Sequence, residues 1–146
     1  MKTWPAPDQG DLPPGLHGAR IAEVIEHFGA GTPRREIIAR RLQRIHALAL
    51  ATGHLARFVV FGSFVTTKPA PNDVDIFLLM DDSFDVRHVS SEARLVFDHS
   101  AAQNLLGASV FWIRRMAALG DEAGLLGHWQ IKRNGGRRGI VEVLHD

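Results

Sequence analysis

The stretch Arg57-Phe58-Val59-Val60-Phe61-Gly62-Ser63-Phe64-Val65-Thr66-Thr67-Lys68-Pro69-Ala70-Pro71-Asn72-Asp73-Val74-Asp75-Ile76-Phe77-Leu78-Leu79-Met80 decides the fold. Phe58 to Phe61 is a short β-branched and aromatic run, which suits a strand buried on both faces. Gly62-Ser63 breaks it and leads into one or two helical turns and a Pro-containing loop. Val74 to Met80 is a second such run, with no polar residue after Asp75. Asp73 and Asp75 are two positions apart at its start, so both point to one face. Two like charges on an apolar strand repel each other and lose hydration, unless a cation offsets them.

Mg²⁺ suits such a pair, because it takes one or two carboxylates and completes its shell with water and phosphate oxygens. Gly62-Ser63 supplies the other half of a phosphate site. Glycine lets a ligand approach the backbone, and free N–H groups at a helix start favour anions. The Ser63 hydroxyl adds a donor, and Lys68 adds a mobile positive charge.

Val60-Phe61-Gly62-Ser63 followed by Asp73-Val74-Asp75-Ile76 resembles the glycine-serine and Asp-x-Asp signature of the nucleotidyltransferase superfamily, which includes DNA polymerase beta. The whole phrase, with Leu12-Pro13-Pro14-Gly15-Leu16-His17 and Gly139-Ile140-Val141-Glu142, looks like a small stand-alone, antitoxin-type bacterial group within it. The resemblance implies a minimal nucleotidyltransferase fold: an α/β chain with a mixed β-sheet and packed helices. It implies that Gly62 and Ser63 hold nucleotide phosphates, with Lys68 assisting, and that Asp73 and Asp75 hold Mg²⁺. The implied activity is transfer of a nucleoside monophosphate from a nucleoside triphosphate to a hydroxyl of a protein or RNA partner. The alternative is a non-catalytic binding module on the same fold, an antitoxin or a nucleotide sensor.

Active members of the superfamily usually add a third carboxylate on a later strand. By chain order that strand is Ala108 to Ile113, whose polar residue is Ser109. Asp98 falls in the preceding expected helix, and Glu142 in the last expected strand. This departure bears on two-metal catalysis.

A chain of 146 residues, 45% hydrophobic, is long enough for one full core. It has no cysteine, which excludes disulfides and thiolate metal sites and fits a cytoplasmic setting. No apolar run reaches membrane-spanning length, and the opening Met1-Lys2-Thr3-Trp4-Pro5 does not read as a signal peptide. The net charge of +1 excludes a strong global field for nucleic acid.

Residues 1–15, with Pro5, Pro7, Pro13 and Pro14, read as an extended arm, and residues 16–146 as a single domain. Leu16 to Phe28 is expected to be a helix stopped by Gly29, with His17 and His27 as packed or exposed structural residues. A second helix is expected from Thr32-Pro33 to about Thr52, with Ile38, Leu42, Ile45 and Ala49 inward. Arg34, Arg35, Arg40, Arg41 and Arg44 then form a solvated basic face or a patch for RNA or an acidic protein. Ser91 to Leu106 reads as a helix, Ala108 to Ile113 as a third buried strand, and Met116 to Gly127 as a stretch that holds another short helix, with Asp121 as its cap. Trp129 to Arg133 and Gly139 to Leu144 read as an edge hairpin, whose Lys132, Arg133, Arg137 and Arg138 protect the edge or contact a nucleotide or an acidic partner.

Overall fold

A computed structural model describes residues 2–145, so both ends of the expected arm and domain, Met1 and Asp146, lie outside the described residues. The chain is α/β. Five strands form one mixed sheet in the order β1-β5-β2-β3-β4, with β1 Leu16–Arg20, β2 Leu55–Phe61, β3 Val74–Met80, β4 Ala108–Arg114 and β5 Ile140–Leu144. The outer pairs β1·β5 and β3·β4 are parallel, while β5·β2 and β2·β3 are antiparallel.

One face of the sheet carries Phe58, Val60, Ile76, Leu78, Val110 and Val141, all buried. Against it lie α1 (Ile21–Phe28) and α2 (Pro33–Ala51) through Val24, Phe28, Ile38, Leu42, Ile45 and Ala49. This is the expected stripe of the second helix. Thr32 caps it by accepting from the Arg35 N–H at 3.2 Å, and Pro33 opens it where its missing N–H costs nothing. The other face carries a smaller core of Val59, Phe77, Leu79 and Ile140, closed by Leu126 of α5 (Glu122–His128) and by Trp129. Asp121 caps α5, accepting from the Gly124 N–H at 2.9 Å.

Five expectations change. Leu16 to Phe28 is not one helix: Leu16 to Arg20 is the parallel partner of β5, and only Ile21 to Phe28 is helical. Without β1, β5 would have an unpaired backbone edge, and Gly18 is a poor helix-interior residue. Arg20 starts α1 by donating its N–H to Glu23 Oε1 at 2.8 Å. Ser91 to Leu106 is broken: α3 (Ser91–Arg94) passes into a 3-10 turn ending at Phe97, and Asp98 then caps α4 (His99–Ala101) and a π-helical turn, Ala102–Leu106. The Phe97 carbonyl turns aside to accept from Trp112 Nε1 at 2.9 Å, which a continuous helix would forbid.

Trp129 to Arg133 and Gly139 to Leu144 do not form an edge hairpin. A single bridge, Ile131 to Arg137, remains, and β5 lies inside the sheet between β1 and β2. The Trp129 ring packs on Phe77 at 5.2 Å instead of projecting from a ladder. Finally, β4 is an edge strand, half open at Phe111.

The arginines of α2 are not one solvated face. Arg35 is 6% exposed and donates to the carbonyls of Phe28, Phe64, Thr66 and Lys68. Arg34 donates to the Pro71 and Asn72 carbonyls, and Arg44 pairs with Glu92 at 2.7 Å. The helix therefore holds the Phe64–Asn72 segment in place through its first turn. Residues 2–15 run mostly without regular structure, as an arm, and pin themselves by the buried Leu12 and by a bridge from Asp11 to Thr66. Among the described residues no helix is long and apolar enough to cross a membrane.

Candidate functional site

Strand β2 ends at Phe61, opposite Asp75 of β3. The chain then turns at Gly62, whose φ of +80° lies in the region that glycine reaches without strain. Ser63–Val65 make a single 3-10 turn, closed by Val65 N–H donating to the Gly62 carbonyl at 3.3 Å. A Cβ on Gly62 would overlap the Asp75 carboxylate. The turn is thus pressed onto the acidic strand, and the expected partners Gly62, Ser63, Asp73 and Asp75 come together.

They line a cleft of about 890 Å³ whose walls also include Lys68 and Ser109. Ser109 of β4 is in register with Asp75, and its hydroxyl donates to Asp73 Oδ2 at 3.0 Å. The expected third-carboxylate position is therefore adjacent to the aspartate pair and is held by a serine. Neither other candidate is free for the site. Glu142 accepts from Arg57 at 3.2 Å, and Asp98 accepts from the Ala101 N–H at 3.0 Å.

Burial, and then the neighbouring Asp73 charge, push the Asp75 carboxyl up to about 6, against the opposing pull of Arg138 and Arg133. Neither aspartate has an ion-pair partner within 4 Å among the described residues. Two hard carboxylates, one of them partly desolvated, open onto a water-accessible cleft. That donor set fits one Mg²⁺-type cation completed by water and phosphate oxygens. Among the described residues no group of three or more His, Cys, Asp or Glu side chains gathers to hold a metal.

The far wall of the cleft comes from the 128–138 segment, including Lys132, Arg133 and Arg138. Asp11 of the arm ties Lys132 at 2.8 Å and Arg138 at 3.6 Å. Lys68 and Arg133 make no ion pair among the described residues and remain available to an anion. Sequence reasoning missed an aromatic wall. Trp129 packs on Phe61 at 4.6 Å and on Phe111 at 5.3 Å, and Phe111 meets His99 at 4.9 Å. These residues come from four separate segments with no shared periodicity. The only hint was that Phe61 and Phe111 fall on strands at alternate positions to their buried neighbours. Trp129 Nε1 is buried without a hydrogen-bond partner among the described residues.

No curated protein and no solved structure matches the chain. One family model does, over residues 5–144, which spans most of the arm, the whole sheet and every residue of the cleft. By that match the chain belongs to the Family of unknown function (DUF6932).

Proposed function

We propose that the protein is a Mg²⁺-dependent nucleotidyltransferase that moves a nucleoside monophosphate from a nucleoside triphosphate to a hydroxyl of a protein or RNA partner. One observation carries this reading: Asp73 and Asp75 share a face beside the Gly62-Ser63 turn, in one cleft, with no cationic side chain paired to them among the described residues.

In this reading Gly62 brings backbone close to the triphosphate, and Ser63 donates its hydroxyl to a phosphate oxygen. Lys68 and Arg133 offset the remaining negative charge. Asp73 and Asp75 hold the cation, which when bound neutralises phosphate charge and orients the leaving group. The Ser109 hydroxyl holds Asp73 in one orientation. The aromatic wall of Phe61, Phe111 and Trp129 offers a surface for a base to stack on. The acceptor oxygen bonds to the α-phosphorus, and the bond from that phosphorus to the bridging oxygen breaks. Pyrophosphate leaves with the electron pair. The acceptor proton goes to water, because Ser109 is no base at neutral pH. A cytoplasmic setting goes with this reading, since both triphosphate and Mg²⁺ are supplied there.

Calorimetry with ATP, GTP, CTP and UTP, with and without Mg²⁺, tests the reading. Binding is expected only with the cation, and is expected to be lost in Asp73→Asn with Asp75→Asn. Equal affinity with and without Mg²⁺ overturns it. A second reading, a non-catalytic binding module such as an antitoxin or nucleotide sensor, is favoured by Ser109 standing in register with Asp75. It expects the same binding with no pyrophosphate release.

A further inference from the structure

A second cleft, of about 530 Å³, meets the first at Asn72, Asp73 and Gln103. Its other walls come from α2 and from the π-helical segment with Gly107 after it. Asp73 is the only acid among its lining residues. Arg41 is half-buried there and makes no hydrogen bond or ion pair among the described residues. Its side chain occupies the space beside Gly107 that a Cβ on that residue would need. That residue has a φ of +67°, and a Cβ there would come within 2.7 Å of Arg41 Nε. Arg44, one turn along, is already compensated by Glu92 at 2.7 Å. The side chains of Gln103 and Asn104 also make no hydrogen bond to the protein among the described residues, and both are exposed.

A half-buried cation with no carboxylate paired to it among the described residues can take up an anion. A guanidinium fork matches a phosphate in two parallel hydrogen bonds. We propose that Arg41 is the core of a second anion subsite that holds a phosphate of the acceptor, with Gln103 and Asn104 pairing to the polar groups around it. Placing the acceptor there rests on the nucleotidyltransferase reading; the anion site itself does not.

The geometry separates two phosphate groups. The triphosphate belongs with Ser63 and Lys68 in the first cleft. A molecule seated by its phosphate on Arg41 enters from the second cleft, and both clefts open on Asp73. Its hydroxyl is then the atom that bonds to the α-phosphorus as pyrophosphate leaves and the proton passes to water. The shared ligand chemistry is a phosphate monoester or diester next to a free hydroxyl. A nucleic-acid 3′ end and a small phosphorylated alcohol both carry it.

The test uses the full chain and two probes: a fluorescein-labelled single-stranded oligoribonucleotide followed by anisotropy, and glycerol 3-phosphate as competitor. Arg41→Gln is expected to weaken the labelled strand by at least about tenfold, the loss of one bidentate charge-assisted contact. Arg41→Lys, which keeps the charge but not the fork, is expected to fall between. Arg40→Gln, exposed and outside the cleft, is expected to match the wild type. Displacement by glycerol 3-phosphate assigns a small acceptor, and displacement only by unlabelled strand assigns a nucleic-acid end. Calorimetry with Mg²⁺ and ATP on the same variants separates the two readings. Arg41-dependent strand binding without ATP binding upholds the anion subsite and removes the nucleotidyltransferase reading. Absence of binding by both probes, or equal binding by the wild type, Arg41→Gln and Arg41→Lys, overturns the subsite.

Discussion

Gly62 and Asp75 exclude any side chain between them: the Asp75 carboxylate occupies the space where a Cβ on residue 62 would stand. The turn that ends β2 is therefore closed onto the acidic end of β3. The φ of +80° at Gly62 adds a second demand for glycine. Gly62→Ala is expected to destabilise the protein by about 1–3 kcal/mol and to abolish triphosphate binding. Asp75→Ala in the same chain should recover part of the stability but none of the binding. Urea denaturation of the two single variants and the double variant measures the coupling, and simple additivity refutes the contact.

The Asp75 carboxyl sits at about 6 in the fold, raised chiefly by burial and then by Asp73. A carboxyl raised above its unfolded value favours the fold while protonated. Its contribution is complete below the unfolded value of 3.8 and is lost as pH rises through about 6. Without divalent cation the protein should therefore lose stability between about pH 4 and pH 6 through this group, and Asp75→Asn should flatten the slope. Mg²⁺ should restore stability at the upper end. Melting temperatures across that range, with Mg²⁺ and with chelator, read it out.

His46 works in the opposite direction. It is buried on α2 against Phe58 at 4.9 Å, and burial, then the nearby His145, lower its imidazole below 6.5. The fold holds the neutral ring. Its contribution is present above 6.5 and is lost as pH falls through the lowered value. In an Asp75→Asn background, acidification should destabilise the wild-type helix and leave His46→Phe less sensitive. Equal acid sensitivity of the two would show that His46 is not the titrating group.

Arg35 is a cation buried without a carboxylate, satisfied by four carbonyls that belong to the Gly29 bend and to the Phe64–Lys68 segment. Arg35→Met removes their donors and should cost about 3–5 kcal/mol. The neighbouring Arg34→Gln, whose contacts are at the surface, should cost less than about 1 kcal/mol. Chemical denaturation decides between this clamp and an ordinary surface arginine.

Ser109→Asp would put a third carboxylate beside Asp73, where the serine hydroxyl now donates. The variant should bind Mg²⁺ more tightly, release pyrophosphate faster if acceptor is present, and melt at a lower temperature without the cation. Labelled triphosphate incubated with protein and acceptor measures transfer. Fast transfer by the wild type, abolished by Glu142→Gln, would show that the third carboxylate lies elsewhere.

Local chemistry determined much of this protein from the sequence by itself. Apolar β-branched runs place β2 and β3, and Thr32-Pro33 starts α2. The two-residue spacing of Asp73 and Asp75 puts both on one face, because side-chain direction along a strand is a local property. The tertiary structure alone decided what depends on partners distant in the chain. Leu16 to Arg20 is extended because β5, over a hundred positions later, needs a parallel neighbour. Arg35 is buried because the carbonyls of another segment face it, and nothing in the charge pattern of α2 distinguishes it from Arg40. Trp129 closes the cleft because a core formed by other strands draws its ring inward. Arg41 is the unpaired arginine of a second cleft among the described residues because Glu92 claims Arg44 and the absent Cβ of Gly107 leaves room for the Arg41 side chain. Long-range pairing and desolvation leave no periodic trace in a sequence, so these assignments required the folded chain.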